Sequence, residues 1–149
     1  YASSMLVASI ASPSAMAAEH GEHEVNASAS MILDQGKKWP IDESLHQGMT
    51  EIKALMAANL DDIHHNKLTG QKYGVLAGQL QVQLNYLFEN CKLPPQADAQ
   101  LHILLSGIMQ GAARMDKENE KRQGAIQVIQ ALQNYPVYFN DPRWQGIGH

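Results

Sequence analysis

The sequence predicts an all-α fold: an antiparallel, up-down-up-down four-helix bundle behind a disordered N-terminal leader. Three observations carry this. Apolar residues recur every three or four positions over four long stretches, caps or prolines punctuate those stretches, and the links between them are short. The 149 residues suffice for one domain with a real core.

The first helix is expected over about 43–65. Pro40 precedes it, Asp42 or Ser44 can cap it, and Ser44 with Gln47 makes a capping-box pattern. Its buried stripe is Leu45, Met49, Ile52, Met56, Leu60 and Ile63. Asn66–Gly70 reverses the chain, with Thr69 as the next cap. The second helix, about 69–91, aligns Tyr73, Leu76, Leu80, Leu84, Leu87 and Cys91. Pro94-Pro95 ends it, since proline lacks an amide donor and crowds the preceding turn. The third, about 96–115, carries Leu101, Leu105, Ile108, Ala112 and Met115, flanked by Leu104. The fourth is expected over 117–135, capped by Asp116 and stopped at Tyr135-Pro136, with Ile126, Ile129 and Leu132 on its core face and Val128 at the flank. The aromatic tail, Val137–Trp144, is expected to pack across one bundle end.

Upstream of the bundle (33–149), residues 1–17 read as an export signal truncated at its front. Tyr1–Ala18 carries no charge, Leu6–Ala11 is a modest apolar core, and Ala15-Met16-Ala17 places small residues where signal peptidase reads. The alternative is an Ala/Ser tail of a cytosolic protein. Residues 18–32 form a His/Glu/Ala/Ser leader with little to bury. A periplasmic location is the expectation. In that oxidising setting the single cysteine, Cys91, has no partner for an internal disulfide, so it is buried, metal-bound or paired between chains.

Composition excludes several functions. Net charge is −4 and the 11 basic residues are scattered, which argues against a nucleic-acid surface. No apolar run has the length of a membrane span. One cysteine rules out the Cys-x-x-Cys-His attachment of c-type haem, and the fourth helix lacks the histidine of a b-type bundle, leaving a Cys91- or His102-ligated haem as a remote reading. The paired glutamates expected of a di-iron bundle, with Glu-x-x-His on each of two helices, are absent. Cys91 and His102 are the sole nucleophile–base pair suggested by position, and without an orienting third group no enzyme is expected.

Helix parity brings Trp39, His46, Met49, Cys91, His102, Tyr135 and the aromatic tail to one pole, and His64 and His65 to the other. Cys91, His102 and His46, with Met49 and Met109 in reach, form a sulfur-and-nitrogen set suited to copper, or to zinc. His46 and His102 each lie one residue off the stripe, and the structural alternative is an inert buried cysteine beside core-edge histidines. Cleavage after Ala17 would create a second candidate. The free amine of Ala18, the following amides through Glu19 and the His20 imidazole make a square-planar Cu(II) or Ni(II) site, with His23 as an extra ligand. The alternative is a soluble spacer. A purely structural module, docking a protein partner or a second copy through the aromatic pole, is the competing function.

The runs DQGKKWPIDESLHQGM, IHHNKLT and NCKLPPQADAQLHILLSGIMQGA resemble a family of small exported proteobacterial helical-bundle proteins with no assigned activity. The resemblance spans about 33–144. It implies an exported helical bundle, and an arginine at the position held here by His46, which makes Cys91 and His102 the firmer ligand pair. More distantly, the architecture is similar to cytochrome c-prime and b-type bundles without their haem motifs.

Overall fold

A computed structural model describes residues 30–148 of the chain. Four helices follow in order: α1 Glu43–His64, α2 Gly70–Asn90, α3 Pro95–Met115 and α4 Lys121–Tyr138. Each packs on its neighbour in the chain, and α1 closes the ring against α4. Among the described residues, no helix is long and apolar enough to cross a membrane. The signal and leader readings for residues 1–29 lie outside the described residues.

The ends of the helices have identifiable local causes. Asp42 caps α1, its Oδ1 accepting from Leu45 N at 2.8 Å, so Asp42 rather than Ser44 does this work. Asn66 (φ 55°) ends α1 by turning left-handed. Its amide reaches Ile63 O (3.2 Å) and that of Lys67 reaches Asp62 O (2.7 Å), satisfying carbonyls the helix leaves open. Thr69 caps α2 through Lys72 N (3.2 Å), and Pro95 opens α3, where its missing amide costs nothing.

The fourth helix departs from expectation at both ends and in its rotation. Asp116 closes α3 instead of capping α4, which begins at Lys121 after a turn. Pro136 lies inside α4, which continues to Tyr138. Near a C-terminus proline forfeits a single bond, and continuing the helix buries both Tyr135 and Phe139 completely. The core face is Gly124, Ala125, Val128, Ala131, Leu132 and Tyr135, while Ile126 and Ile129 stand at its edge. The cause is close approach of two backbones. A Cβ on Gly111 of α3 would lie 2.7 Å from Gly124 O and 2.7 Å from Val128 Cγ2. Small residues, not the largest apolar ones, therefore define the side of α4 that meets α3.

The N-terminal segment and the tail close one pole together. Trp39 N donates to Tyr138 O (2.8 Å) and Asn140 N to Trp39 O (2.8 Å), pairing Trp39 with Phe139 as an isolated parallel bridge. The indole of Trp39 donates to Ile32 O at 2.6 Å. Gly111→Ala is expected to lower stability by roughly 1–3 kcal/mol, the range for overpacking a tight contact. Ala113→Gly, exposed on the same helix, should cost no more than about 1 kcal/mol by propensity alone. Urea unfolding of the two variants measures the difference.

Candidate functional site

The pole expected to hold chemistry is assembled around a carboxylate that sequence reading passed over. Asp141 is the buried charged residue of the described chain, with a side chain 0% exposed. Its Oδ2 accepts from His46 Nδ1 (2.7 Å) and from the Tyr135 hydroxyl (3.0 Å), and its Oδ1 from Arg143 N (3.1 Å). The last bond is an Asx turn, the local signal that an Asp-Pro-Arg sequence can give. Burial, then the adjacent Asp141 charge, pushes the Tyr135 hydroxyl far above its usual range, so it stays a donor. Trp144 packs edge-on against Tyr135 with centroids 4.7 Å apart, and Lys53 Nζ sits 4.9 Å over the Trp144 ring.

This network gives His46 a defined orientation. In the neutral ring, Nδ1 donating to the carboxylate leaves the lone pair on Nε2. Nε2 has no hydrogen-bond partner among the described residues, and the ring lines a pocket of about 500 Å³ with Glu43, Gln47, Thr50, Glu51, Gln83, Tyr86 and Arg143. Arg143 pairs with Glu43 at this pocket, and that bond holds the Glu43 carboxyl below its usual range. Tyr86 donates to Gln47 Oε1 at 3.0 Å. His46 thus turns inward.

The thiol and the second histidine are placed differently. Cys91 follows the last residue of α2, half-buried, its amide donating to Leu87 O (3.0 Å). Burial first, then the carboxylates of Asp42 and Asp98, raise its thiol to about 12, so it is protonated and weakly nucleophilic near neutrality. His102 faces solvent with a side chain 58% exposed; its Nε2 lies 3.4 Å from Asp98 Oδ2 and its ring meets Phe88 edge-on at 5.7 Å. Met49 is fully buried in the core. Met109 lines a groove with Ala77 and Gly78, a level of α2 about 20 Å along the helix from Cys91 at 1.5 Å per residue. The structure brings His46 to Asp141 and Cys91 toward Asp42 and Asp98, while His102 and Met109 lie on the outer α2–α3 side. Among the described residues no group of three or more His, Cys, Asp or Glu side chains is placed to hold a metal ion. Ala18, Glu19, His20 and His23 lie outside the described residues.

The outer face of α2 and α3 was not singled out from the sequence as a site. Between Tyr73 and Phe88 no residue is charged, and the exposed positions include Val75, Gly78, Val82 and Phe88. The signal was available: a 16-residue helical stretch without one charge.

Two outcomes check this geometry. Asp141→Ala should destabilise by roughly 1–3 kcal/mol, because it strands the buried Tyr135 hydroxyl. Adding Tyr135→Phe should then cost less than it does in the wild type, a coupling that a double-mutant cycle reads. The raised Cys91 value means that the unfolded chain releases the thiol proton at lower pH than the native chain does. This part of stability is therefore level below about pH 8.5 and falls as pH climbs toward the native value. Cys91→Ala should flatten that alkaline decline in denaturation curves. No family model, no curated protein and no solved structure matches this chain.

Proposed function

We propose that the domain is a non-catalytic interaction module of an exported protein, working through the outer face of α2 and α3 and not through a reactive centre. The observation that carries this reading is the composition of that face. Val75, Val82 and Phe88 of α2 and Met109 of α3 are exposed, four of the six large apolar side chains exposed in the described chain. The α2 part of that face carries no charge between Tyr73 and Phe88, and an apolar surface depleted in charge is what the centre of a protein interface looks like before its partner arrives. The reactive side chains support the same reading by their engagements. Cys91 keeps its proton, His102 rests on Asp98 and Phe88, and His46 is committed to Asp141. The aromatic pole, by contrast, is spent on closing the bundle: Trp39, Tyr135 and Phe139 are all buried.

A photo-crosslinking residue at position 82 tests this in the organism of origin. A discrete adduct from position 82 is expected, with none from position 130, an exposed glutamine on α4. Equal labelling from both positions, or none from either, would end the proposal.

A second reading keeps the transition-metal function, copper first and zinc next. One observation favours it: His46 has a carboxylate behind its Nδ1 and no protein partner at Nε2, the arrangement of metal-binding histidines, and Glu43 and Glu51 line the same pocket. The leader, Ala18 through His23, would be an independent Cu(II) catch. Copper titration of a chain beginning at Ala18, beside one beginning at Ser30, separates the two sites. His46→Ala should abolish binding to the shorter chain; unchanged affinity would remove His46 from the ligands.

A further inference from the structure

The pole opposite Asp141 is built from other parts. Antiparallel order brings the N-termini of α2 and α4 together there, and a Cβ on Gly70 would lie 3.5 Å from the Lys121 side chain. Thr69 caps α2, but α4 has no side-chain cap. Glu120 precedes α4 and gives its carboxylate to Arg114 (3.1 Å) and Lys117 (3.8 Å) instead. The amides of Lys121, Arg122 and Gln123 therefore have no acceptor among the described residues. The same three residues line a cleft of about 350 Å³ with Gly70, Tyr73 and Glu118 among others.

Tyr73 supplies an independent sign of a ligand. It is 4% exposed, and its buried hydroxyl has no hydrogen-bond partner among the described residues. Buried hydroxyls are nearly always paired. Burial raises this hydroxyl above its usual range while the Arg122 charge pulls it down, so the group lies toward Arg122 and the cleft, and it is a donor at neutral pH. The two cations are held in place by the bundle. Arg122 Nε donates to Ile63 O (3.0 Å) with a terminal nitrogen 3.5 Å from His64 O, and Lys121 Nζ donates to Met115 O (2.9 Å). Carbonyls do not neutralise these charges, and further N–H groups remain on both side chains. Glu118 is the acid of the lining, exposed and bonded to none of the α4 amides.

We propose that this cleft binds a phosphate group, with the α4 amides, the Tyr73 hydroxyl and the Lys121 and Arg122 cations as its donors. An uncapped helix N-terminus favours an oxyanion because free amides and aligned peptide dipoles both face it. These donor groups outnumber the roughly four lone-pair sites of a carboxylate, whereas phosphate oxygens point in several directions and accept from all of them. The site is independent of the α2–α3 face and of His46.

Calorimetry and amide NMR of the whole chain test this, with inorganic phosphate, glycerol phosphate and acetate as probes. Saturable phosphate binding that shifts the Lys121, Arg122 and Gln123 amides is expected. Tyr73→Phe should leave thermal stability unchanged, since the hydroxyl has no protein partner, yet bind phosphate at least about tenfold more weakly, the scale for a hydrogen bond to a charged group. Lys121→Gln should weaken binding as well. Tighter binding of glycerol phosphate than of inorganic phosphate makes the ligand a monoester, and the reverse order makes it free phosphate; both support the site. No saturable binding at millimolar phosphate, shifts confined to other residues, wild-type affinity in Tyr73→Phe, or acetate held as tightly as phosphate would each overturn the assignment. Where Tyr73→Phe alters the fold, unchanged affinity in Lys121→Gln overturns it instead.

Discussion

The architecture of the active-looking pole depends on burying one negative charge. Asp141 lies on the tail beyond α4, yet its carboxylate takes hydrogen bonds from α1 through His46, from α4 through Tyr135 and from its own turn through Arg143 N. An isolated carboxylate would not survive this burial, and its three donors make it tolerable. The consequence is mechanical. The tail is fastened to two helices at once, so Trp144 lands on Tyr135 and the segment around Trp39 can pair with Phe139. A single acidic side chain thus links the start of the described chain to its end.

The same pole shows how a chemical-looking constellation can be consumed by structure. Asp42 caps α1 with one carboxylate oxygen and accepts Lys92 N (2.7 Å) with the other, which locks the turn after α2 against the start of α1. Cys91 sits beside that carboxylate, and negative charge next to a thiol favours its protonated form. Activating a cysteine requires the opposite surroundings, a cation or a helix N-terminus. His46 alone among the candidates retains a nitrogen directed by a buried acid and left without a partner.

Glycine divides the helices into two kinds of surface. Gly111 and Gly124 let α3 and α4 approach until backbone touches backbone, and this rotates α4 so that Ala125 and Val128, not Ile126 and Ile129, face the core. Gly48 makes room for Leu87 between α1 and α2. Gly78 serves no such contact and faces outward between two exposed valines. Close packing is therefore satisfied internally on the α3–α4 side and left unsatisfied on the outside of α2.

Much was legible from the sequence because it depends on neighbours along the chain. Periodicity located α1, α2 and α3 to within a residue or so, and Thr69, Asp42 and Pro94-Pro95 marked their ends through local hydrogen bonding and proline sterics. Short links then dictated antiparallel neighbours and the grouping of residues at one pole. What the tertiary structure decided were matters of rotation and partnership. The face α4 buries depends on how near a second backbone comes, and its continuation past Pro136 depends on burying Tyr135 and Phe139. His46 and His102 both lay just off their stripes. One turned inward because Asp141, 95 residues away, supplied an acceptor, and the other turned outward to Asp98 and Phe88. Local pattern sets which residues are helical and roughly where they lie. Only packing in three dimensions supplies the partner that gives a side chain its direction and its chemistry.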